Sequence, residues 1–345
     1  MRDKVRWGIA GTGTIASSFA ADIRFAANAE LVAVSSRSAE TASIFAARFG
    51  GIRSYQGIEA LADASDIDAI YIASPNALHR EHAERVLAAG KAVLVEKPLT
   101  TTSTDARALA TAAAVSGAFA MEALWTCFLP AISSVRALLA AGTIGTIGRV
   151  RAELAYEKPF DAGSRFFDPA LGGGSLLDLG IYPIALCLNL FGQPQSVDGG
   201  WKSAPTGVDR SAEIKLAYDG FDAELGCGFD RDGHNRFVVE GEGGTLVIDA
   251  PFLKANRLFI STGGPTRRLL ASNGKTACRL ARHVPLPGLT RHDHGFPGNG
   301  LQFEIEAASA AILKGHVEHP LMPLSTSTKA LEIIETIRAK APAAG

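Results

Sequence analysis

The sequence predicts an α/β protein: an N-terminal doubly wound parallel sheet, then an α/β domain with an open, mainly antiparallel sheet. Three observations predict it. A glycine-rich turn follows the first apolar strand, strand and helix patterns alternate to about residue 125, and from Val150 short alternating strands are joined by Gly/Asp turns. At 345 residues the chain fits two domains, 1–125 and 126–345, each able to bury a core.

Val5–Ala10 reads as the first strand, Gly11-Thr-Gly13-Thr-Ile-Ala16 follows, and a helical pattern continues to about Ala27. This is the G-x-G-x-x-A form of the dinucleotide fingerprint. Gly11 makes the tight turn, Gly13 lets the backbone approach a pyrophosphate, and Ala16 permits close helix packing. Thr12, Thr14 and Ile15 lie where the helix N-terminus offers free N–H groups and a positive dipole end to phosphate. The second strand, Leu31–Ser35, runs into Ser36-Arg37-Ser38, where an NAD site usually carries an acid for the ribose 2′-hydroxyl. Here the acid is missing. Ser36 and Arg37 can instead donate hydrogen bonds to a 2′-phosphate, which predicts NADP in preference to NAD.

Asp68–Ser74 is a further buried strand, Pro75-Asn76 turns into a helix over Leu78–Ala89, and Gly90 closes it. Ser74, Pro75, Asn76 and His79 thus fall on the cofactor side of the sheet. His79 has a helix-end structural role as its competing reading and no catalytic part. The strand Ala92–Val95 stops at Glu96-Lys97-Pro98. Ligands in open α/β sheets bind outside the carboxyl ends of strands, so Glu96 and Lys97 would stand at the cofactor crevice. Pro98 fixes φ and permits a cis bond that can aim the lysine. Helix over Thr104–Ser116 and strand over Ala118–Ala123 complete this half.

In the C-terminal half, a helix over Ala131–Ala141 precedes strands near 150–156, 196–203, 211–218, 222–230, 236–239, 244–248 and 257–262. Glu240–Gly244 reads as a hairpin loop. One sheet face must be covered by a helix near Ser175–Phe191; the other, if apolar, would need a partner. Asp178 and Tyr182 are i and i+4 and share one helix face. Gly172–Gly174 read as close backbone packing rather than a phosphate cradle. Pro265–Gly300 reads as a stretch of low regularity. Its His283, His292 and His294 lack a carboxylate or thiolate partner at known spacing, so no metal is expected. Helices over Gln302–Leu313 and Thr326–Ala339 end the chain.

Gly11-x-Gly13-x-x-Ala16, Ser74-Pro75-Asn76-x-x-His79, Ala89-Gly90-Lys91 and Glu96-Lys97-Pro98 resemble the Gfo/Idh/MocA family of NAD(P)-dependent oxidoreductases over nearly the whole chain. Met121-Glu-Ala-Leu-Trp125-Thr is most similar to the branch of dihydrodiol dehydrogenases and NADP-dependent D-xylose dehydrogenases. In that branch Arg often follows W-T, where this chain has Cys127. The resemblance implies that the terminal helices return to the cofactor domain. It also assigns Tyr182 as acid/base, grouped with Lys97 and Asp178. Trp125, Phe160, Arg165 and Phe166 are candidates for the substrate wall.

The chemistry sets conditions on that grouping. A free tyrosine, with a pKa near ~10, is too protonated at neutral pH to serve as base, and lowering it by roughly two units needs about 2.7 kcal/mol of coupling. An exposed ion pair gives at most ~1 kcal/mol, so Lys97 and Tyr182 must meet where water is scarce. Asp178 cannot simply neighbour the phenolate, because like charge would raise its pKa. It would orient Lys97 or accept a substrate hydroxyl.

Hydrophobic content of 47% and a net charge of -1 describe an ordinary globular chain, with no footprint for nucleic acid or anionic membrane. No signal-peptide pattern and no apolar run of ~20 residues is read, so the expectation is a cytoplasmic protein. Cys127, Cys187, Cys227 and Cys278 form no C-x-x-C pair and read as buried free thiols. The expected function is NADP-dependent oxidation of a sugar or cyclic diol hydroxyl by a homodimer or homotetramer joined through the C-terminal sheet. The alternatives are a keto- or anhydro-sugar reductase, or a sensor of the same fold.

Overall fold

A computed structural model describes residues 3–272 and 286–343; Cys278, Arg279, Arg282 and His283 lie outside the described residues. The chain divides into two compact units, Met1–Phe128 with Pro297–Glu332, and Leu129–Phe296 with Ile333–Gly345.

The first unit is built on strands β1 (Val5–Ala10), β2 (Ala29–Ser36), β3 (Arg53–Gln56), β4 (Ala69–Ile72), β5 (Ala92–Glu96) and β6 (Ala120–Ala123). All pairs are parallel, in the order β3-β2-β1-β4-β5-β6. This is the Rossmann order, and the direction of winding reverses between β1 and β4. β4 and β5 are buried at every position, as strands covered by helices on both faces must be. β3 was not anticipated: its Arg-Ser-Tyr-Gln sequence is largely exposed and carries no apolar alternation.

Two polar contacts tie the returning helix Gln302–Leu313 to this sheet. The Trp7 indole donates to Ser309 Oγ at 2.9 Å. The buried Asp22 carboxylate accepts from the backbone N–H groups of Asn299, Gly300 and Leu301 at 2.8–3.1 Å, capping the helix from a distant part of the chain.

The second unit holds β7 (Ile147–Ala155), β8 (Ser196–Ser203), β9 (Asp209–Tyr218), β10 (Phe221–Gly228), β11 (Phe237–Gly241), β12 (Thr245–Ile248), β13 (Arg257–Ser261) and β14 (Leu289–Asp293). Their order is β14-β13-β12-β11-β7-β10-β9-β8, antiparallel except between β7 and β10. A helical run ending at Phe191 lies against β7 and β10. The other face is apolar at Val238, Val247 and Phe259, where a helix of the same unit covers it, and polar over β7, β9 and β10. It carries cross-strand ion pairs, Arg149–Glu224 at 2.5 Å and Lys215–Asp222 at 2.7 Å.

Two expectations are corrected here. The region after Pro265 is more regular than its Gly/Pro content suggested: the helix Gly264–Ala271 packs its Leu270 on Val238, Val247 and Phe259, and β14 pairs with β13. Pro169–Phe191 is also, by length and composition, apolar enough to cross a bilayer. However, 78% of its most apolar window is buried within the protein, as in the core helix of a globular unit.

Candidate active site

The fingerprint turn has the geometry its glycines predict. Gly11 sits at φ +123, and a Cβ there would lie 2.5 Å from the Ala73 carbonyl oxygen, so only glycine fits. Gly13 opens the helix Thr14–Asp22 without a side-chain cap, and a Cβ on it would meet nothing within 4 Å. Ala16 is fully buried beneath. Thr12 and Ile15 are half-buried and Thr14 is exposed. At the end of β4 the buried Ser74 hydroxyl has no partner among the described residues. An uncapped helix end, an open approach and an orphaned hydroxyl fit a dinucleotide. Ser36 is half-buried and Arg37 exposed at the end of β2.

The turn bearing Lys97 is gripped from three sides. The Lys97–Pro98 peptide is cis. The Lys97 N–H donates to Glu96 Oε2 at 3.1 Å, and the Leu99 N–H to Glu122 Oε1 at 2.7 Å. His79 Nδ1 lies 2.8 Å from the Pro98 carbonyl oxygen and its Nε2 lies 2.9 Å from that of Ser74. The cofactor contact expected of His79 is therefore corrected to a backbone one: the ring is fully buried and both nitrogens face main-chain oxygens. Burial lowers its pKa to about 4, so the ring is neutral and donates to one of the two carbonyls. Glu96 is buried and takes the Tyr71 hydroxyl, and Tyr71 stacks on Phe19 of the fingerprint helix at 4.0 Å between centroids. Burial pushes Glu122 up to about 7 and raises Glu304 well above the carboxylate range. Pro75 precedes the short turn Asn76–Leu78, which leads into the helix Ala88 ends.

Asp178 and Tyr182 belong to the second unit, and Lys97 to the first. The residue spacing treated Asp178 and Tyr182 as two positions on one α-helix. In the structure Asp178 lies in a π-turn, Leu176–Gly180, and Tyr182 in the α-helix Ile181–Phe191 that follows. A turn closed by i→i+5 bonds spends more residues per revolution, so the simple i, i+4 relation does not hold. Gly180 lets this turn approach β10, since a Cβ there would sit 3.0 Å from Cys227 Sγ. Tyr182 is 7% exposed. Asp178 is half-buried, and its carboxylate lies 3.7 Å from the Arg165 guanidinium.

The loop before this turn assembles some of the expected wall. Two cations lie against the Phe166 ring, with Lys158 Nζ 3.8 Å and Arg165 Cζ 4.2 Å from its centroid. Phe160 is half-exposed, edge-on to Phe167 at 5.2 Å. Trp125 and Cys127 are buried in the turn Trp125–Phe128; the thiols Cys187, in the helix Ile181–Phe191, and Cys227, on β10, are buried as well. His292 and His294 stack at 6.5 Å, while Asp293 is paired with Arg257 and Arg291. Among the described residues, no group of three His, Cys, Asp or Glu is arranged to hold a metal ion.

A pyrophosphate-ready turn after β1 of a parallel sheet, with Lys97 two strands away at the end of β5, defines a dinucleotide-binding protein of the Rossmann class. Residues 5–123 match the family model described as oxidoreductase family, NAD-binding Rossmann fold, and 132–247 match the Gfo/Idh/MocA C-terminal domain. The chain belongs to the Gfo/Idh/MocA family. It is 31% identical over 340 residues to trans-1,2-dihydrobenzene-1,2-diol dehydrogenase of Bos taurus, covering 97% of this chain and 96% of that one. It is 37% identical over 254 residues to scyllo-inositol 2-dehydrogenase (NADP(+)) of Bacillus subtilis (strain 168), 71% of this chain and 76% of that one. Among solved structures, a 3-ketoreductase from Actinomadura kijaniata in complex with NADP superposes with TM-score 0.81 at 25% identity, covering 98% of each chain. The aldose-aldose oxidoreductase of Caulobacter crescentus gives TM-score 0.83 at 24% identity over 97% of each chain.

Proposed function

We propose that this enzyme oxidises a hydroxyl carbon of a sugar or cyclic diol with NADP, aldose C1 or a trans-dihydrodiol, through Lys97, Asp178 and Tyr182. The observation that carries the reading is likeness over 97% of the chain to a trans-dihydrodiol dehydrogenase. The bound nicotinamide supplies the hydride acceptor. Tyr182 takes the hydroxyl proton as the C–H bond breaks. The Lys97 ammonium favours the phenolate, and its turn is fixed by Glu96, His79 and Glu122. Asp178, held near Arg165, accepts a substrate hydroxyl or orients Lys97. Gly11, Thr12, Gly13, Thr14 and Ile15 hold the pyrophosphate, and Ser36 and Arg37 select the 2′-phosphate.

The same residues run the reverse reduction of a keto-sugar, a direction favoured by the likeness to a 3-ketoreductase. The reading also places the enzyme in the cytoplasm as a homodimer or homotetramer. The test is reduction of NADP and of NAD by the purified protein over a panel of aldoses, inositols and trans-dihydrodiols, and oxidation of NADPH over a panel of keto-sugars. Turnover on one class, with higher kcat/KM for NADP, is expected. Equal kcat/KM for the two cofactors contradicts the preference, and absence of turnover in both directions contradicts the enzymatic assignment.

A further inference from the structure

The helix bearing Asp178 and Tyr182 begins at a buried polar knot that no local sequence pattern announces. Asp209, on β9 and with its side chain wholly shielded, accepts from Ser175 Oγ at 3.0 Å and from the Leu176 N–H at 2.5 Å. One oxygen of the same carboxylate, Oδ1, takes both Arg338 Nε at 2.7 Å and Nη2 at 2.5 Å, while Oδ2 holds the Ser175 and Leu176 donors. Arg338 Nη2 also reaches the Gly173 carbonyl oxygen at 3.2 Å. The knot requires its glycine. Gly174 sits at φ +115, and a Cβ there would lie 2.5 Å from both Arg338 Nη2 and Asp209 Oδ1. The Gly174 carbonyl oxygen in turn accepts the Asp178 N–H at 3.2 Å, so the knot is one residue from the backbone of the proposed site.

We propose that Asp209 and Arg338 are positioning residues that set the register of the π-turn and thereby the placement of Asp178 and Tyr182. The inference rests on the reading of Tyr182 as the acid/base. The physical reason is the turn itself. A single π-turn at a helix start can relax to α-geometry by rotating the residues before it, and this places Asp178 differently against Tyr182. Hydrogen bonds to the Leu176 N–H and the Gly173 carbonyl oxygen, drawn to one ion pair, hold the chain on both sides of Gly174 and oppose that rotation. Arginine is required because its planar fork reaches two acceptors at once, whereas lysine offers only a point charge.

The test compares wild type with Arg338→Lys, Asp209→Asn and Tyr182→Phe, all as the full chain saturated with NADP. The phenol of Tyr182 is read as the difference in tyrosinate absorbance between each protein and its Tyr182→Phe counterpart during a pH titration. NADP binding stoichiometry counts the folded fraction. In Arg338→Lys, which keeps the charge, the Tyr182 midpoint is expected to move upward. On the substrate the panel identifies, kcat per NADP-binding site should fall by about 10- to 100-fold, the scale of a misplaced reacting group. A wild-type midpoint and kcat per site in both Arg338→Lys and Asp209→Asn, while Tyr182→Phe is inert, would overturn the positioning role alone. Full activity in Tyr182→Phe would instead overturn the reading beneath it.

Discussion

The two segments proposed to carry the chemistry are held by opposite electrostatic means. The turn at Lys97 hangs on groups that burial has moved toward neutrality, His79 at about 4 and Glu122 at about 7. The helix of Asp178 and Tyr182 hangs on an intact ion pair, the buried Asp209 carboxylate with the half-buried Arg338 guanidinium. A neutral grip tolerates an isosteric amide but responds to pH. A charged grip is indifferent to neutral pH but fails when one partner is removed.

The largest effect expected of this contrast is on stability. Asp209→Leu strands the buried Leu176 N–H and Ser175 hydroxyl and unpairs the half-buried Arg338, and should lower the unfolding free energy by about 2–3 kcal/mol, whereas Glu122→Gln at pH 6, keeping an acceptor for the Leu99 N–H, should change it by about 1 kcal/mol or less. Urea denaturation of both variants checks this, and equal losses would break the comparison.

The pH response comes next. Glu122 titrates at about 7 in the folded chain against 4.5 ordinarily, so between those values the folded state binds more protons and stability falls as pH rises. The span corresponds to about 3 kcal/mol, an order-of-magnitude figure. His79 titrates at about 4 against 6.5, so there the unfolded state binds more protons and stability rises with pH. The two slopes oppose each other between pH 4.5 and 6.5. Relative to wild type, Glu122→Gln should therefore gain stability from pH 5 to pH 6.5, and His79→Gln should lose it. Unfolding curves at the two pH values decide, and parallel profiles would show that burial does not neutralise these groups.

The smallest effect sharpens the contrast from outside. Arg149–Glu224 matches the Asp209–Arg338 pair in length at 2.5 Å but stands in solvent on the second sheet. Arg149→Ala should therefore cost about 1 kcal/mol or less by the same denaturation. A loss as large as that of Asp209→Leu would mean that exposure is not what separates them.

Much of the architecture was legible because its signals are local. The turn at Gly11 needs a positive φ and a missing Cβ, and both are written in one short motif. β8 and Gln302–Leu313 have the expected bounds, and β12 begins one residue after the expected start. What was not legible depends on distance or on one inserted residue. Asp209 meets Arg338 across 129 positions, and Asp22 caps a segment 277 positions away; neither leaves a local pattern. The π-turn under Asp178 looks like ordinary helix to any period count. β14 was hidden because four of its five residues are polar or charged. His79 was misread toward the cofactor because its position at the sheet edge suits both roles, and only the two backbone oxygens around the ring separate them.

The most direct test of the central claim is NADP reduction by wild type and Tyr182→Phe side by side, on the substrate class that wild type turns over, with NADP affinity measured for both. The account predicts unchanged NADP binding and a loss of kcat of about 100-fold or more in the variant, the scale of a removed general base. Wild-type kcat in Tyr182→Phe would contradict it.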